Sequence, residues 1–107
     1  MVHEVESMAD FNKCLQEAGD KLVVVDFTAT WCGPCKQIGP EFVKLAGLPE
    51  NANVVFLKVD VDEAEDVSAQ CGIKCMPTFY FYKNGKKVDE FSGANPQTLK
   101  EKVEALR

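Results

Sequence analysis

Lys21-Leu22-Val23-Val24-Val25-Asp26-Phe27-Thr28-Ala29-Thr30-Trp31-Cys32-Gly33-Pro34-Cys35-Lys36 is the stretch on which the fold turns. Leu22–Thr28 is a nearly continuous β-branched and aromatic run, the pattern of a strand buried on both faces. A Cys-x-x-Cys pair follows at once. A helical pattern then runs from Cys35 to about Leu48, with Ile38, Phe42, Leu45 and Ala46 on one face. The dithiol therefore lies at the carboxyl end of a strand and the amino terminus of a helix. Unpaired N–H groups and the helix dipole favour negative charge there, and such positions lower thiol pKa values.

Cysteines three apart on a first helical turn occupy neighbouring positions of one face, within disulfide reach. Gly33 and Pro34 form the turn between them and tune the pair. Pro34 has no N–H to leave unpaired and already holds helical φ. A stiffened ring closes readily, which favours donation of electrons to a substrate. Cys32 is expected to be the more exposed and acidic thiol, the nucleophile. Cys35, one turn in, is expected to be buried and protonated until it acts as the resolving thiol.

Working outward, strand and helix patterns alternate. Val2–Val5 is a short strand, and Ser7 caps a helix carrying Met8, Phe11, Leu15 and Ala18 on one face, stopped by Gly19. Pro40 should kink the helix after the dithiol. Val54–Val59 is a further strand. Asp62-Glu63-Ala64-Glu65 reads as a capping box opening a short helix that ends at Gly72. Thr78–Tyr82 and Lys87–Phe91 flank Asn84-Gly85, a strong hairpin signal. Asn95-Pro96 opens a last helix with Leu99, Val103 and Leu106 inward. The Gly47–Asn53 segment, with Pro49, reads as a surface loop. The order βαβαβα then ββα implies an α/β fold with a central mixed sheet and helices on both faces.

The 107 residues suit one domain, 1–107, with enough chain to bury a core. A net charge of −5 argues against nucleic-acid binding. No apolar run is long enough to span a bilayer. The amino-terminal residues show no secretory pattern, and the carboxyl-terminal ones no retention or prenylation signal. Five cysteines, an odd number, do not fit a set of structural bridges. The compartment this suggests is a reducing one, the cytoplasm, with the nucleus also open to it.

Spacing alone leaves two readings of the cysteines. Cys32 and Cys35 form a redox pair, or they join Cys71 and Cys75 in a four-thiolate zinc site. The long separation between the pairs, and a core that folds without metal, favour the first. Cys14 reads as a small semi-buried apolar residue. Asp26, inside an apolar strand, is either a solvated edge residue or a buried carboxyl with a raised pKa. Lys58 reads as exposed or as its counter-charge. Trp31 and Pro77 carry ordinary readings too, as a core aromatic and a strand-start proline.

The chain resembles the thioredoxin family, close to its cytosolic animal members. The resemblance rests on Lys21–Phe27, Ala29–Lys36, Cys75-Met76-Pro77-Thr78-Phe79 and Glu90-Phe91-Ser92-Gly93-Ala94, and it extends end to end. It implies a five-stranded mixed sheet flanked by four helices. The implied activity is protein disulfide reduction by a reversible Cys32–Cys35 dithiol, with no cofactor and no metal. Asp26 is then buried behind the pair, assisting deprotonation of Cys35, with Lys58 supporting it. The resemblance also makes Met76–Pro77 cis, so that an extended substrate pairs with the Met76 main chain. Trp31 lies partly exposed over the site near Asp62, and Gly93 and Ala94 leave room for substrate.

Cys75 and Cys71 match regulatory thiol positions, Cys75 with a homodimer through a disulfide. The usual partner of Cys71 is replaced by Ala64, which removes one regulatory disulfide. Implied partners are an NADPH- and FAD-dependent thioredoxin reductase, peroxiredoxin, methionine sulfoxide reductase, ribonucleotide reductase and redox-sensitive transcription factors. Pro34 argues against an oxidase or isomerase, since oxidising relatives place other residues between the cysteines.

Overall fold

The computed structural model describes residues 1–107. In chain order the elements are β1 (Val2–Glu4), α1 (Met8–Ala18), β2 (Val23–Thr28), α2 (Gly33–Ala46), β3 (Val55–Asp60), α3 (Glu65–Cys71), β4 (Thr78–Lys83), β5 (Lys86–Ser92) and α4 (Pro96–Leu106). A 3-10 turn, Pro49–Asn51, lies between α2 and β3. The five strands form one mixed sheet in the order β1-β3-β2-β4-β5. β3 pairs in parallel with both β1 and β2, while β4 runs antiparallel to β2 and β5.

All six residues of β2 are buried, because it is hydrogen-bonded on both sides and covered on both faces. Its side chains alternate between two cores. Val23, Val25 and Phe27 pack with Leu57, Val59, Tyr80 and Tyr82 beneath Phe11 of α1 and Val67 of α3. Val24 packs on the other face with Phe56, Phe79 and Phe81, against Ile38 and Phe42 of α2 and Leu99 and Val103 of α4. By the same alternation Asp26 shares the α2 face. Edge-to-face contacts such as Phe42–Phe56, with centroids 5.4 Å apart, fill that core.

Local chemistry sets most element ends. Ser7 Oγ accepts from the Asp10 N–H at 3.1 Å, and Asn95 Oδ1 accepts from the Thr98 N–H at 3.1 Å. Asn84 and Gly85 both take positive φ, 53° and 75°, as a two-residue hairpin turn requires. α2 starts at Gly33, two residues before the sequence placed it, because Pro34 is accepted in its first turn. It also runs on through Pro40.

Two local readings are corrected. The capping box at Asp62 is not formed: α3 starts at Glu65, its N-cap Ala64 offers no side chain, and the Asp62 carboxylate is engaged by Trp31. The loop after α2 is also more than surface. Asn51 is buried; its Nδ2 donates to Leu45 O at 2.9 Å, and its Oδ1 accepts from Arg107 Nη1 at 2.8 Å. It thus gives a carbonyl in the last turn of α2 a second donor beside the Leu48 N–H, and it ties down the carboxyl end of α4.

Asn51→Ala should cost roughly 1–3 kcal/mol, because it removes two hydrogen bonds at a buried position, one to the Leu45 carbonyl and one from the charged Arg107 guanidinium. Urea denaturation with an unchanged m-value checks this; a loss within 0.5 kcal/mol, on the order of surface substitutions, would refute it.

Candidate active site

The end of β2 and the start of α2 fix the dithiol. Cys32 is the N-cap of α2, with extended backbone, and its Sγ accepts from the Cys35 N–H at 3.2 Å. Cys32 and Cys35 are joined as a disulfide, their Cα atoms 5.3 Å apart. The Cys32 N–H donates to Ala29 O at 3.2 Å, closing the turn that leads into the helix. The expected contrast in exposure is nearly absent, since Cys32 is 6 % and Cys35 4 % exposed. The ring lies against Ala29, with Val61 and Met76 packed on it. What distinguishes the two sulfurs is that only Cys32 receives a helix-terminal N–H.

Around the ring lie the residues singled out from the sequence. Met76–Pro77 is a cis peptide bond, and Met76 O is 3.7 Å from Cys32 Sγ. Trp31 is 66 % exposed, and its Nε1 donates to Asp62 Oδ2 at 2.8 Å. Pro77 is buried, and its carbonyl accepts from the Gly93 N–H at 3.0 Å. Gly93 is exposed with φ of 104°, a conformation that disfavours a side chain. Ala94 is half-buried against the α2–α4 core.

Asp26 is buried, only 4 % exposed, and its Oδ1 has no hydrogen-bond partner. Desolvation raises its pKa to about 7, and the Lys58 charge opposes the rise. Lys58 itself is exposed and stands opposite Asp26 in the β2–β3 register. Asp26, Cys35, Lys36, Lys58 and Asp60 line one cleft of about 420 Å³, open to solvent. A buried acid of near-neutral pKa thus shares a water-accessible space with the inner cysteine.

Asp60 went unrecognised in the sequence. Buried at the end of β3, its Oδ1 accepts from the N–H groups of Asp62 at 2.9 Å and Glu63 at 3.3 Å. That turn presents Asp62 to Trp31. An Asp closing a strand two residues before another Asp is an Asx-turn signal that could have found it.

The two cysteine pairs do not come together. Cys71 Sγ lies 4.0 Å from Tyr82 Oη, whereas Cys75 Sγ lies 3.5 Å from Ser92 Oγ and 3.7 Å from Thr78 Oγ1. Cys75 is exposed, and bonds with Ser92 and then Thr78 lower its pKa. Burial raises that of the half-buried Cys71. The four-thiolate arrangement is therefore not formed.

The sequence model of the family described as Thioredoxin matches residues 2–105. The chain belongs to the thioredoxin family. The thioredoxin of Ictalurus punctatus is 66% identical over 103 residues, covering 96% of each chain. The X-ray structure of Fasciola hepatica thioredoxin superposes with a TM-score of 0.93 at 44% identity, covering 98% of this chain and 99% of that one. A chain solved in work on the thiol-resolving mechanism of yeast mitochondrial 1-Cys peroxiredoxin via glutathione/thioredoxin systems gives a TM-score of 0.88 at 33% identity, covering 98% and 95%. As a thioredoxin the chain is a thiol–disulfide oxidoreductase, a protein disulfide reductase whose redox group is its own Cys32–Cys35 disulfide.

The Asp26 environment gives this thioredoxin a pH-dependent stability. Unfolded, the carboxyl titrates near 3.8; folded, near 7. Well below pH 3.8 both states are protonated. Between the two values only the unfolded state loses its proton, so stability falls as pH rises, by roughly 4 kcal/mol in all. Asp26→Asn should remove that decline. Urea denaturation of the oxidised protein from pH 3.5 to 8.5 checks it, and parallel wild-type and variant curves would refute it.

Proposed function

We propose the following division of labour, carried by one observation: the outer sulfur accepts a helix N-terminal N–H, and the inner cysteine shares a cleft with an unpaired buried carboxyl. In the reduced protein the Cys32 thiolate, stabilised by the Cys35 N–H and the α2 dipole, attacks a substrate disulfide. One substrate sulfur becomes bonded to Cys32 and the other leaves as a thiolate. Asp26, ionised near neutral pH, takes the Cys35 proton through water in the cleft, with Lys58 setting how readily it ionises. The Cys35 thiolate then attacks Cys32 Sγ, the substrate leaves as its second thiolate, and the internal disulfide forms.

Gly33 and Pro34 hold the pair in the first helical turn and set its reducing bias. Substrate backbone pairs with the Met76 main chain beside the ring, flanked by exposed Trp31 and by the exposed Gly93, with the small half-buried Ala94 next to it. Residues 1–107 act as one domain. Electrons return from an NADPH- and FAD-dependent thioredoxin reductase. Clients are disulfide-bearing proteins, among them peroxiredoxin, methionine sulfoxide reductase and ribonucleotide reductase, in the cytoplasm and nucleus. Cys75 is the regulatory thiol and the point of homodimer formation. Its exposure and lowered pKa favour it over Cys71.

Insulin reduction driven by dithiothreitol tests the scheme. Cys32→Ser should abolish catalysis, whereas Cys35→Ser, reduced and then freed of dithiothreitol, should hold substrate as a stable mixed disulfide detectable by mass. Retained turnover in Cys32→Ser ends the proposal. For the proton acceptor, Asp26→Asn should keep the attack on substrate but slow release from the mixed disulfide by about 10- to 100-fold near neutral pH, the range of a general base. Unchanged single-turnover release between pH 6 and 9 would remove Asp26 from the mechanism.

A further inference from the structure

Cys14, given only a packing role by the sequence, stands in a second constellation outside the exchange site. β1 turns directly into α1, which sets His3 over the first turns of the helix. Asp10 and Cys14, four apart on α1, share one helix face. His3 Nε2 lies 3.0 and 3.3 Å from the two Asp10 carboxylate oxygens, and Cys14 Sγ lies 3.8 Å from Asp10 Oδ1. One ligand atom from each of the three residues falls within 4.8 Å of the others.

We propose that His3, Asp10 and Cys14 bind a zinc-class divalent cation. Around Zn²⁺, with bonds of about 2.0–2.3 Å, tetrahedral ligand atoms stand roughly 3.3–3.6 Å apart. The observed spacings need side-chain adjustments of only about 1 Å to meet that geometry. The Asp10 carboxylate is already oriented, because its Oδ2 accepts from the Glu6 N–H at 2.9 Å. Such outer contacts hold a ligand in place before the metal arrives. A cleft of about 320 Å³ opens beside the three residues and is also lined by Glu17, one turn further along α1. Its carboxylate or a water supplies the fourth ligand. One imidazole, one thiolate and carboxylate oxygen suit Zn²⁺ or Co²⁺; Ca²⁺ and Mg²⁺ prefer oxygen throughout. Binding replaces the Cys14 thiol proton, which goes to solvent, by a metal–sulfur bond, and no electron is transferred. The bound ion would fasten β1 to α1.

Oxidised protein free of dithiothreitol tests this, because the Cys32–Cys35 disulfide removes those sulfurs from competition. Titration with Co²⁺ should give a 1:1 complex with a thiolate-to-cobalt charge-transfer band in the near ultraviolet, bleached by Zn²⁺. His3→Gln and Asp10→Asn should each weaken Zn²⁺ at least tenfold by calorimetry, and Cys14→Ser should abolish the band; Cys75→Ser should change neither. Zn²⁺ should also raise the melting temperature of the wild type but not of Cys14→Ser. The proposal is overturned if the band survives Cys14→Ser, if Cys75→Ser removes it, or if millimolar Co²⁺ gives no band. All these side chains are surface or half-buried, so circular dichroism should report intact folds.

Discussion

The site depends on one constraint, that β2 is hydrogen-bonded along both edges and packed on both faces. A strand so held cannot slip, because a one-residue shift would send Val23, Val25 and Phe27 to the wrong core. Everything at the reactive end inherits that fixity. The last residue of β2 sets where Ala29 lies, whose carbonyl anchors the Cys32 N–H before α2 begins. The β3 register places Lys58 opposite Asp26, and the β4 register sets Thr78 against Phe27, immediately after Pro77. The reactive sulfurs belong to the sheet's geometry more than to a loop's.

The same burial that secures β2 creates its one electrostatic conflict. Asp26 occupies a position where an apolar side chain would stabilise the fold, and one of its oxygens has no partner. Lys58 moderates the penalty without removing it, because its ammonium is exposed and screened by water. A fully paired carboxylate would have its pKa pulled down and would accept protons poorly near neutrality. A fully isolated one would stay protonated. The arrangement between these extremes gives a pKa of about 7, so that the carboxyl can take up or release a proton near neutral pH. A local loss of stability thus accompanies a carboxyl that titrates near neutral pH.

Much of this was legible in the sequence, for physical reasons that differ by element. β2, the hairpin and the capped helices α1 and α4 announce themselves through periodicity and through residues with one strong local preference: Ser7, Asn84-Gly85 and Asn95-Pro96. The dithiol's place followed from strand and helix patterns meeting at Cys32. Side chains whose partners lie far along the chain were less readable. Asp62 looked like a helix cap because nothing local reveals that the Trp31 indole, 31 residues away, claims its carboxylate. Asn51 looked like loop for the same reason, its partners being Leu45 and Arg107. The near-equal burial of Cys32 and Cys35 was hidden too, since Met76 packs onto the ring from a distant loop.

The three remaining thiols show how surroundings divide one chemistry into several. Cys71 is half-buried near Tyr82, its pKa raised mainly by lost solvation. Ala64, the N-cap of the same helix, is almost wholly buried. Cys14 is raised as well, by burial and then by the Asp10 charge, so as a free thiol it is a poor nucleophile. A neighbouring anion that opposes a thiolate is, however, what a dication requires: the Asp10 that deactivates Cys14 toward disulfides makes it a better partner for metal. Cys75 has the opposite setting, exposed and hydrogen-bonded by hydroxyls that favour its anion. Reactivity toward disulfides is thus concentrated where Met76 already borders the dithiol, and the other thiols are held out of competition with Cys32.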